Sequence, residues 1–240
     1  MEAAQRPLES PWWYRGRTWV FALLYFAGFF FGAVVSKVVH GTYVAAFREL
    51  GADLGPSGPD ALLIFACVCA AICYGWRVWG SSYLRAGTVW NPGALSDQLV
   101  IAGPFRFLRN PLYFGNFFLA IGIGLLAPVT GFVFILVSNV LFVMALARHE
   151  EAVLEGTYGE RFRKYAARVP PLFPRLWPVA QEGDARPSLV QGLLAEVFTG
   201  ALMMGLVLSF VDRRHGMIDF FGLYFAGLIA QRAIAAGSSR

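Results

Sequence analysis

Residues 113–147 contain no charged side chain, and this stretch limits the folds open to the chain more than any other feature. It is 35 residues long, whereas one helix crosses the ~30 Å hydrocarbon core of a bilayer with about 20 residues. The Pro and the Gly of APVTG (127–131) favour a turn near its middle. We therefore predict a short helical hairpin over 113–147. Each arm of about sixteen residues would rise only about 24 Å, at ~1.5 Å per residue.

Four further apolar segments are long enough to cross a membrane. They span residues 18–36, 61–79, 189–211 and 218–236. Only 15% of the chain is charged and 57% is hydrophobic, against about 25% charged residues in an ordinary soluble domain. We predict an all-α, polytopic transmembrane helical bundle with about six crossings, two of them in the hairpin.

The Lys and Arg residues are distributed unequally between the two sides of such a bundle. With the N-terminus inside, the outer segments hold only Lys37, Arg48, Arg213 and Arg214, and the other sixteen of the 20 basic residues are inside. Because basic loops stay in the cytoplasm, we expect both termini of this integral membrane protein to be cytoplasmic. The net charge of +5 then favours contact with anionic lipids of the inner leaflet. The sequence has no motif for binding nucleic acid.

The hairpin brings two charged segments together, because the chain leaves and returns on the same side of the membrane. Arg106 and Arg109 precede the first arm, and Glu150 and Glu151 follow the second. Paired acids at a membrane surface are costly unless cations meet them. Two interpretations stay open. The four groups form salt bridges that hold the helix ends, with basic residues on lipid phosphates, or they bind a ligand.

The segment after the second arm has the pattern of an amphipathic helix. Apolar side chains recur at helical spacing, at Tyr158, Phe162, Tyr165 and Val169. Basic side chains occupy another face, at Arg161, Lys164 and Arg168. This pattern is typical of a helix lying in the cytoplasmic membrane interface, and we expect Pro170 and Pro171 to end it.

Two motifs in this region carry a resemblance to known enzymes. They are GPFRFLRNPLYFGN (103–116) and EEAVLEGTYGERFRKYAARVPPLFP (150–174). Together they resemble the isoprenylcysteine carboxyl methyltransferase family and, more loosely, the phospholipid N-methyltransferases. The matching positions are Gly103, Pro104, Arg106, Arg109, Pro111, Tyr113 and Gly115, then Glu150, Glu151, Tyr158, Gly159, Phe162, Tyr165, Val169, Pro170 and Pro174. Asn110 stands where the family usually has His, and an amide cannot titrate.

The resemblance implies a membrane methyltransferase that uses S-adenosylmethionine. Its acceptor would be a lipid or other hydrophobic molecule from the bilayer, carrying a carboxylate, amine or thiol. The implied catalytic residues are Arg109, Tyr113, Glu150 and Glu151. The implied cofactor-binding residues are Val100, Gly103, Pro104, Arg106, Arg109, Asn110, Tyr113, Glu150 and Glu151. The sequence has no GxGxxG unit of a Rossmann-type methyltransferase. A non-enzymatic transporter or a lipid-binding scaffold is the alternative.

The charges of the implied cofactor suggest which motif residue would bind which part of it. A carboxylate of Glu150 or Glu151 suits its ribose hydroxyls and ammonium, and a guanidinium of Arg109 or Arg106 suits its carboxylate. Backbone groups of residues 100–103 suit the adenine edge. Adjacent residues on a helix point about 100° apart. We therefore expect one glutamate to contact the cofactor and the other to meet an arginine or line the acceptor site.

No metal site is expected. Cys67, Cys69 and Cys73 lie in the second apolar segment, where helical spacing spreads them over different faces, and we interpret them as buried apolar side chains. His149 is a candidate base for an amine or thiol acceptor, which must lose a proton before it attacks.

The sequence also predicts how the chain is divided. Residues 1–178 form the methyltransferase-like core, with the motifs in residues 80–178. Residues 179–188 form a polar linker, because they combine charges, Gly and Pro. Residues 189–240 form a C-terminal transmembrane pair with an outer turn at 212–215. We expect this pair to wall the substrate opening, because the core looks complete without it.

Overall fold

The computed structural model describes residues 11–84, 99–181, 183–211 and 216–238, and across these residues the secondary structure is helical, with no strand. A 3₁₀ turn at Gly103–Arg106 precedes the fifth helix. The helices are α1 (Trp12–Arg15), α2 (Arg17–His40), α3 (Ala46–Ala52), α4 (Gly58–Tyr83), α5 (Pro111–Gly124), α6 (Val129–Tyr158), α7 (Glu160–Ala166), α8 (Leu189–Ala195), α9 (Val197–Val211) and α10 (Gly216–Ser238).

Three of these helices, α2, α4 and α6, are long and apolar enough to cross a membrane. The pair α8 and α9, bent by 67°, supplies a fourth span if it is counted as one. The predicted all-α, polytopic membrane fold is confirmed. The number of six crossings stays a prediction, and the outer turn expected at 212–215 lies outside the described residues.

The hairpin is present, but its arms are unequal. Its first arm, α5, has 14 residues and is the short arm that the sequence predicts. The second arm, α6, has 30 residues and continues to Tyr158. The prediction that this arm ends near residue 147 is wrong, because the charged residues that follow find partners on other segments and the helix runs on through them.

The tight turn of the hairpin is buried and shares its hydrogen bonds with the start of α3. The backbone N–H groups of Ala46 and Phe47 donate to the carbonyls of Ala127 and Leu125, at 2.7 and 3.0 Å. A buried turn and a helix N-terminus each leave backbone groups unsatisfied, and here each satisfies the other. This contact fixes the end of the hairpin opposite the charged motifs.

The predicted amphipathic helix is present, but its apolar stripe packs on the protein's own chain rather than lying open to lipid. Gly159, with φ of 52°, separates it from α6. Phe162, Tyr165 and Val169 are buried in a cluster with Leu99. The helix itself ends at Ala166, before the prolines that the sequence suggested as its stop.

The C-terminal helices are tied to the core by a buried ion pair. Arg77 of α4 donates from Nε and Nη2 to the carboxylate of Glu196, at 2.6 and 3.1 Å. Ser81 and Thr199 each donate to the same carboxylate at 2.7 Å. Glu196 is 1% exposed and lies at the bend between α8 and α9. Arg77, within the predicted core, is therefore ion-paired with a carboxylate from the C-terminal part of the chain. The division into a core, a linker and a C-terminal pair stays a prediction.

We predict that Glu196→Gln lowers the free energy of unfolding by about 3 kcal/mol, because it leaves the Arg77 charge buried without a counter-charge. The double variant Arg77→Met with Glu196→Gln should recover part of this loss. Thermal unfolding of the purified protein in detergent measures both effects. The exposed pair of Arg163 and Glu160 is the matched control, and its removal should change little. Equal stability of the wild type and the single variant would contradict this account.

Candidate functional site

A cavity of about 1070 Å³ lies between α2, α5 and α6 on one side and the C-terminal helices α9 and α10 on the other. Most of its lining is aromatic or aliphatic, as at Phe29, Leu119 and Leu202. One end is polar. The side chains that line this end are Tyr14, Arg15, Arg17, Arg109, Asn110, Tyr113 and Glu150. The cavity therefore has a charged head region and a long apolar body.

Two tyrosines hold the carboxylate of Glu150 at the polar end. Tyr14, from α1, and Tyr113, from α5, both donate to Oε1 of Glu150, at 2.9 and 2.6 Å. Burial and the negative charge of Glu150 raise the pKa of Tyr14, so that its phenol stays protonated and remains a donor. No described residue donates to Oε2. Oε2 is therefore available as an acceptor, and Glu150 is one of the residues that line the cavity.

Glu151 points elsewhere and is fully engaged by the first motif. Arg109 donates to it in a bidentate pair, from Nε to Oε1 and from Nη2 to Oε2, each at 2.9 Å. The side-chain amide of Asn110 also donates to Oε1, at 2.8 Å. The remaining Nη1 of Arg109 donates to the carbonyl of Ala166. These bonds clamp the start of α5, the end of α6 and α7 together.

The adjacent glutamates thus have different surroundings, as the helical geometry predicts. Glu150 lines the cavity, and Glu151 does not. The structure brings Arg109, Asn110, Tyr113, Glu150 and Glu151 together at one end of the bundle. The sequence left two interpretations open, structural salt bridges or a ligand site. Glu151 forms a salt bridge, and Glu150 lines the cavity, so each interpretation applies to one of the two glutamates.

The other predicted cofactor residues lie beside this end rather than in the cavity lining. They are Val100, Gly103, Pro104 and Arg106. Gly103 has a φ of 54°, and the ring of Tyr83 fills the space that a Cβ would need, so the turn itself requires glycine here. Arg106 donates from Nε to the carbonyl of Ala180 at 3.1 Å. Contacts of these four residues with a cofactor stay a prediction.

His149, the candidate base, does not line the cavity. Its ring packs on Trp13 and Tyr14, with ring centroids 5.5 and 4.5 Å apart. It helps to hold α1 against α6. The tyrosine that α1 supplies to Glu150 is therefore positioned in part by this aromatic stack.

Several cavity residues were missed from the sequence. They are Tyr14, Arg15, Arg17, Arg77, Asn116 and Thr199. The aromatic and basic residues just before α2 have the composition of an ordinary anchor at the membrane interface. Nothing in their spacing indicates that one of them bonds Glu150. Asn116 carried a usable signal, because it lies three residues after Tyr113 and hence on the same face of α5.

Comparison with known proteins supports the motif assignment. Residues 61–161 match the model of the phospholipid methyltransferase family, and this match confirms the resemblance that the two motifs predicted. The chain is 33% identical over 101 residues to the nickel-cobalt-cadmium resistance protein NccN of Alcaligenes xylosoxydans xylosoxydans, covering 42% of this chain and 44% of that protein. It is 31% identical over 101 residues to the cobalt-zinc-cadmium resistance protein CzcN of Cupriavidus metallidurans, covering 42% and 43%.

The matched part of the chain thus spans less than half the length of these curated relatives. No solved structure matches the chain at a significant level. Within the described residues, no three His, Cys, Asp or Glu side chains are grouped so that they could hold a metal ion.

We predict that Glu151→Gln lowers the free energy of unfolding by about 2 kcal/mol, because Arg109, only 14% exposed, loses its counter-charge. Glu150→Gln should cost less than about 1 kcal/mol, because the amide oxygen still accepts from both tyrosines. Thermal unfolding in one detergent compares the two. Glu160→Gln, at an exposed position, is the control and should match the wild type. A larger loss for Glu150→Gln than for Glu151→Gln would contradict the assignment of Glu151 as the clamp.

Proposed function

We propose that this protein is an integral membrane methyltransferase that transfers a methyl group from S-adenosylmethionine to a hydrophobic acceptor in the cavity. One observation carries the proposal: the Glu150 carboxylate is held by two tyrosines at the polar end of a mainly apolar cavity, and its Oε2 has no donor among the described residues. The family match over residues 61–161 supports the reaction type. The acceptor would be a lipid or similar molecule with a carboxylate, amine or thiol.

The residues at the polar end fit the chemistry of the cofactor. S-adenosylmethionine carries an ammonium and ribose hydroxyls, which are donors suited to a carboxylate such as Glu150. Its own carboxylate suits a guanidinium, and Arg15 and Arg17 both line this end. The cavity, at about 1070 Å³, reaches the top of the ~300–1,000 Å³ range typical of small-molecule sites. Space therefore remains for an acceptor beside the cofactor.

Arg109 receives a different role from the one that the resemblance implied. Its bidentate fork is filled by Glu151, so we assign Arg109 and Glu151 to positioning rather than to the cofactor's carboxylate. Tyr113 orients Glu150 through its hydroxyl. Cofactor contacts of the backbone at Val100, Gly103 and Pro104 are kept as a proposal for a part of the cofactor that extends beyond the cavity.

The bound cofactor would supply a methyl group on a positively charged sulfur. The protein's part is to hold the two reactants in line and to exclude water, and such positioning is worth several kcal/mol, with an upper range of about 7–11. An amine or thiol acceptor must also lose a proton, and Oε2 of Glu150, which is assigned to the cofactor, is not assigned this step. A carboxylate acceptor needs no base. His149 is packed outside the cavity lining and is not assigned this step.

A transporter or lipid-binding scaffold would use the same cavity without a methyl donor. The two hypotheses differ in whether the protein binds S-adenosylmethionine and its demethylated product. The buried ion pair of Arg77 and Glu196 offers transport little support, because the carboxylate is already bonded by Arg77, Ser81 and Thr199.

We predict that the purified protein in lipid nanodiscs binds S-adenosylmethionine and its demethylated product in a calorimetric titration. Glu150→Gln should weaken binding about ten- to a hundredfold, the equivalent of a charge-assisted hydrogen bond of ~1.5–3 kcal/mol. Glu155→Gln, on the same helix but exposed, is the control and should bind as the wild type does. Absence of binding by folded wild-type protein would reject the methyltransferase proposal in favour of the non-enzymatic alternative.

We further propose that the polar end of the cavity faces the cytoplasm, because the basic residues concentrate on that side. In intact cells, a membrane-impermeant maleimide should label Asp53→Cys, beyond α3, but label Glu160→Cys, in α7, only after permeabilisation. Both positions are exposed. The wild type, with Cys67, Cys69 and Cys73 inside α4, gives the background. The reverse labelling pattern would overturn this orientation.

A further inference from the structure

A further polar side chain lines the cavity away from its polar end. Asn139, in the middle of α6, is 2% exposed and lines the cavity together with Tyr25 of α2. Its Nδ2 donates to Oη of Tyr25 at 3.2 Å. Oδ1 of Asn139 is buried and has no hydrogen-bond partner among the described residues. If the amide were flipped, Nδ2 would be the atom buried without a partner. In either orientation, one polar atom of the Asn139 side chain therefore lacks a hydrogen bond.

An unsatisfied amide is expensive at this position. Burying a polar group without a hydrogen bond is unfavourable, and polar side chains inside membrane spans are generally functional. A purely structural tie between α2 and α6 is not needed here, because the two helices already touch through their backbones at Gly28 and Gly131. The amide group therefore points to a ligand.

The spacing between the two polar sites is set by a single helix. Asn139 and Glu150 are eleven residues apart on α6, which is close to three full turns, so both face the same side at a separation of about 16 Å. The positions between them on that face, Val143 and Leu146, are buried in an apolar cluster with Tyr14 and Tyr113 and do not line the cavity. Phe21 and Ala22 of α2, between Tyr14 and Tyr25 in the chain, do line it. The cavity thus offers one polar site at its head and another about 16 Å along its apolar body.

We propose that the acceptor is an amphiphile with two polar groups: a head group at the polar end of the cavity, beside the cofactor, and a hydroxyl or amide that bonds Asn139, about 16 Å from Glu150. Methylation of the head rests on the proposed function, whereas the second contact does not. A hydroxyl can complete the bonds of Asn139 in either orientation of the amide. A plain hydrocarbon chain would bury the amide unpaired, and a site built to bond a polar group discriminates against ligands that lack it.

The test uses the full chain in phosphatidylcholine nanodiscs, without S-adenosylmethionine. The probes are straight-chain primary amines of increasing length, each with and without a terminal hydroxyl. The ammonium suits the Glu150 carboxylate. Calorimetric titration gives their affinities, and empty nanodiscs of the same lipid give the background of partitioning into the bilayer.

We expect the hydroxyl to raise affinity about five- to tenfold at one chain length and little at others, in keeping with one added hydrogen bond. Asn139→Leu should remove this gain while keeping the affinity for the plain amine within about twofold. Ser138→Ala, next to it on α6, is the control and should keep the gain.

Three outcomes would overturn the proposal. They are no gain at any length in the folded wild type, a gain that persists in Asn139→Leu, and an equal loss of both kinds of probe in Asn139→Leu. The last outcome would mark the pair of Asn139 and Tyr25 as a structural tie. Because no cofactor is present, failure of S-adenosylmethionine binding would reject the proposed function without affecting this result.

Discussion

The cost of placing charge near hydrocarbon governs how this structure is arranged. Arg77 and Glu196 are buried as a pair, and Arg109 and Glu151 form a second pair at the end of the hairpin. Each pair joins segments that are far apart in sequence, because a charge in such a place needs a counter-charge from elsewhere in the chain. The first pair joins α4 to the bend between α8 and α9, and the second joins the start of α5 to α6.

Against this background, Glu150 is the exception that defines the site. It lies one residue before Glu151 on the same helix, yet its partners are two neutral phenols rather than a guanidinium. A carboxylate held in this way has one oxygen that no described residue bonds. Neighbouring side chains on a helix point roughly 100° apart. This angle separates the clamp of Glu151 and Arg109 from the site of Glu150 and its tyrosines.

The membrane fold could be predicted from the sequence, because the length of an apolar segment and its lack of charge are local properties of the chain. The meeting of Arg109 with Glu151 also followed, since a hairpin returns its chain to the side that it left. The length of α6 did not follow, because its continuation past Arg148 depends on partners from α1 and α5. Tyr14 and Asn139 were missed for a related reason. A lone aromatic before a span and a lone amide within one look ordinary until the facing helix is known.

The pairing of Arg77 with Glu196 has a consequence for how the protein is made. The two residues are separated by 119 positions, and a ribosome adding roughly 5–20 residues per second needs about 6–24 s to cover that distance. For that period α4 has to reside in the membrane with an arginine that lacks its carboxylate. Arg77 lies six residues before the end of α4, near enough for its long side chain to reach the lipid head groups. We therefore expect that guanidinium to stay at the water interface during synthesis and to move inward only after residue 196 has been made.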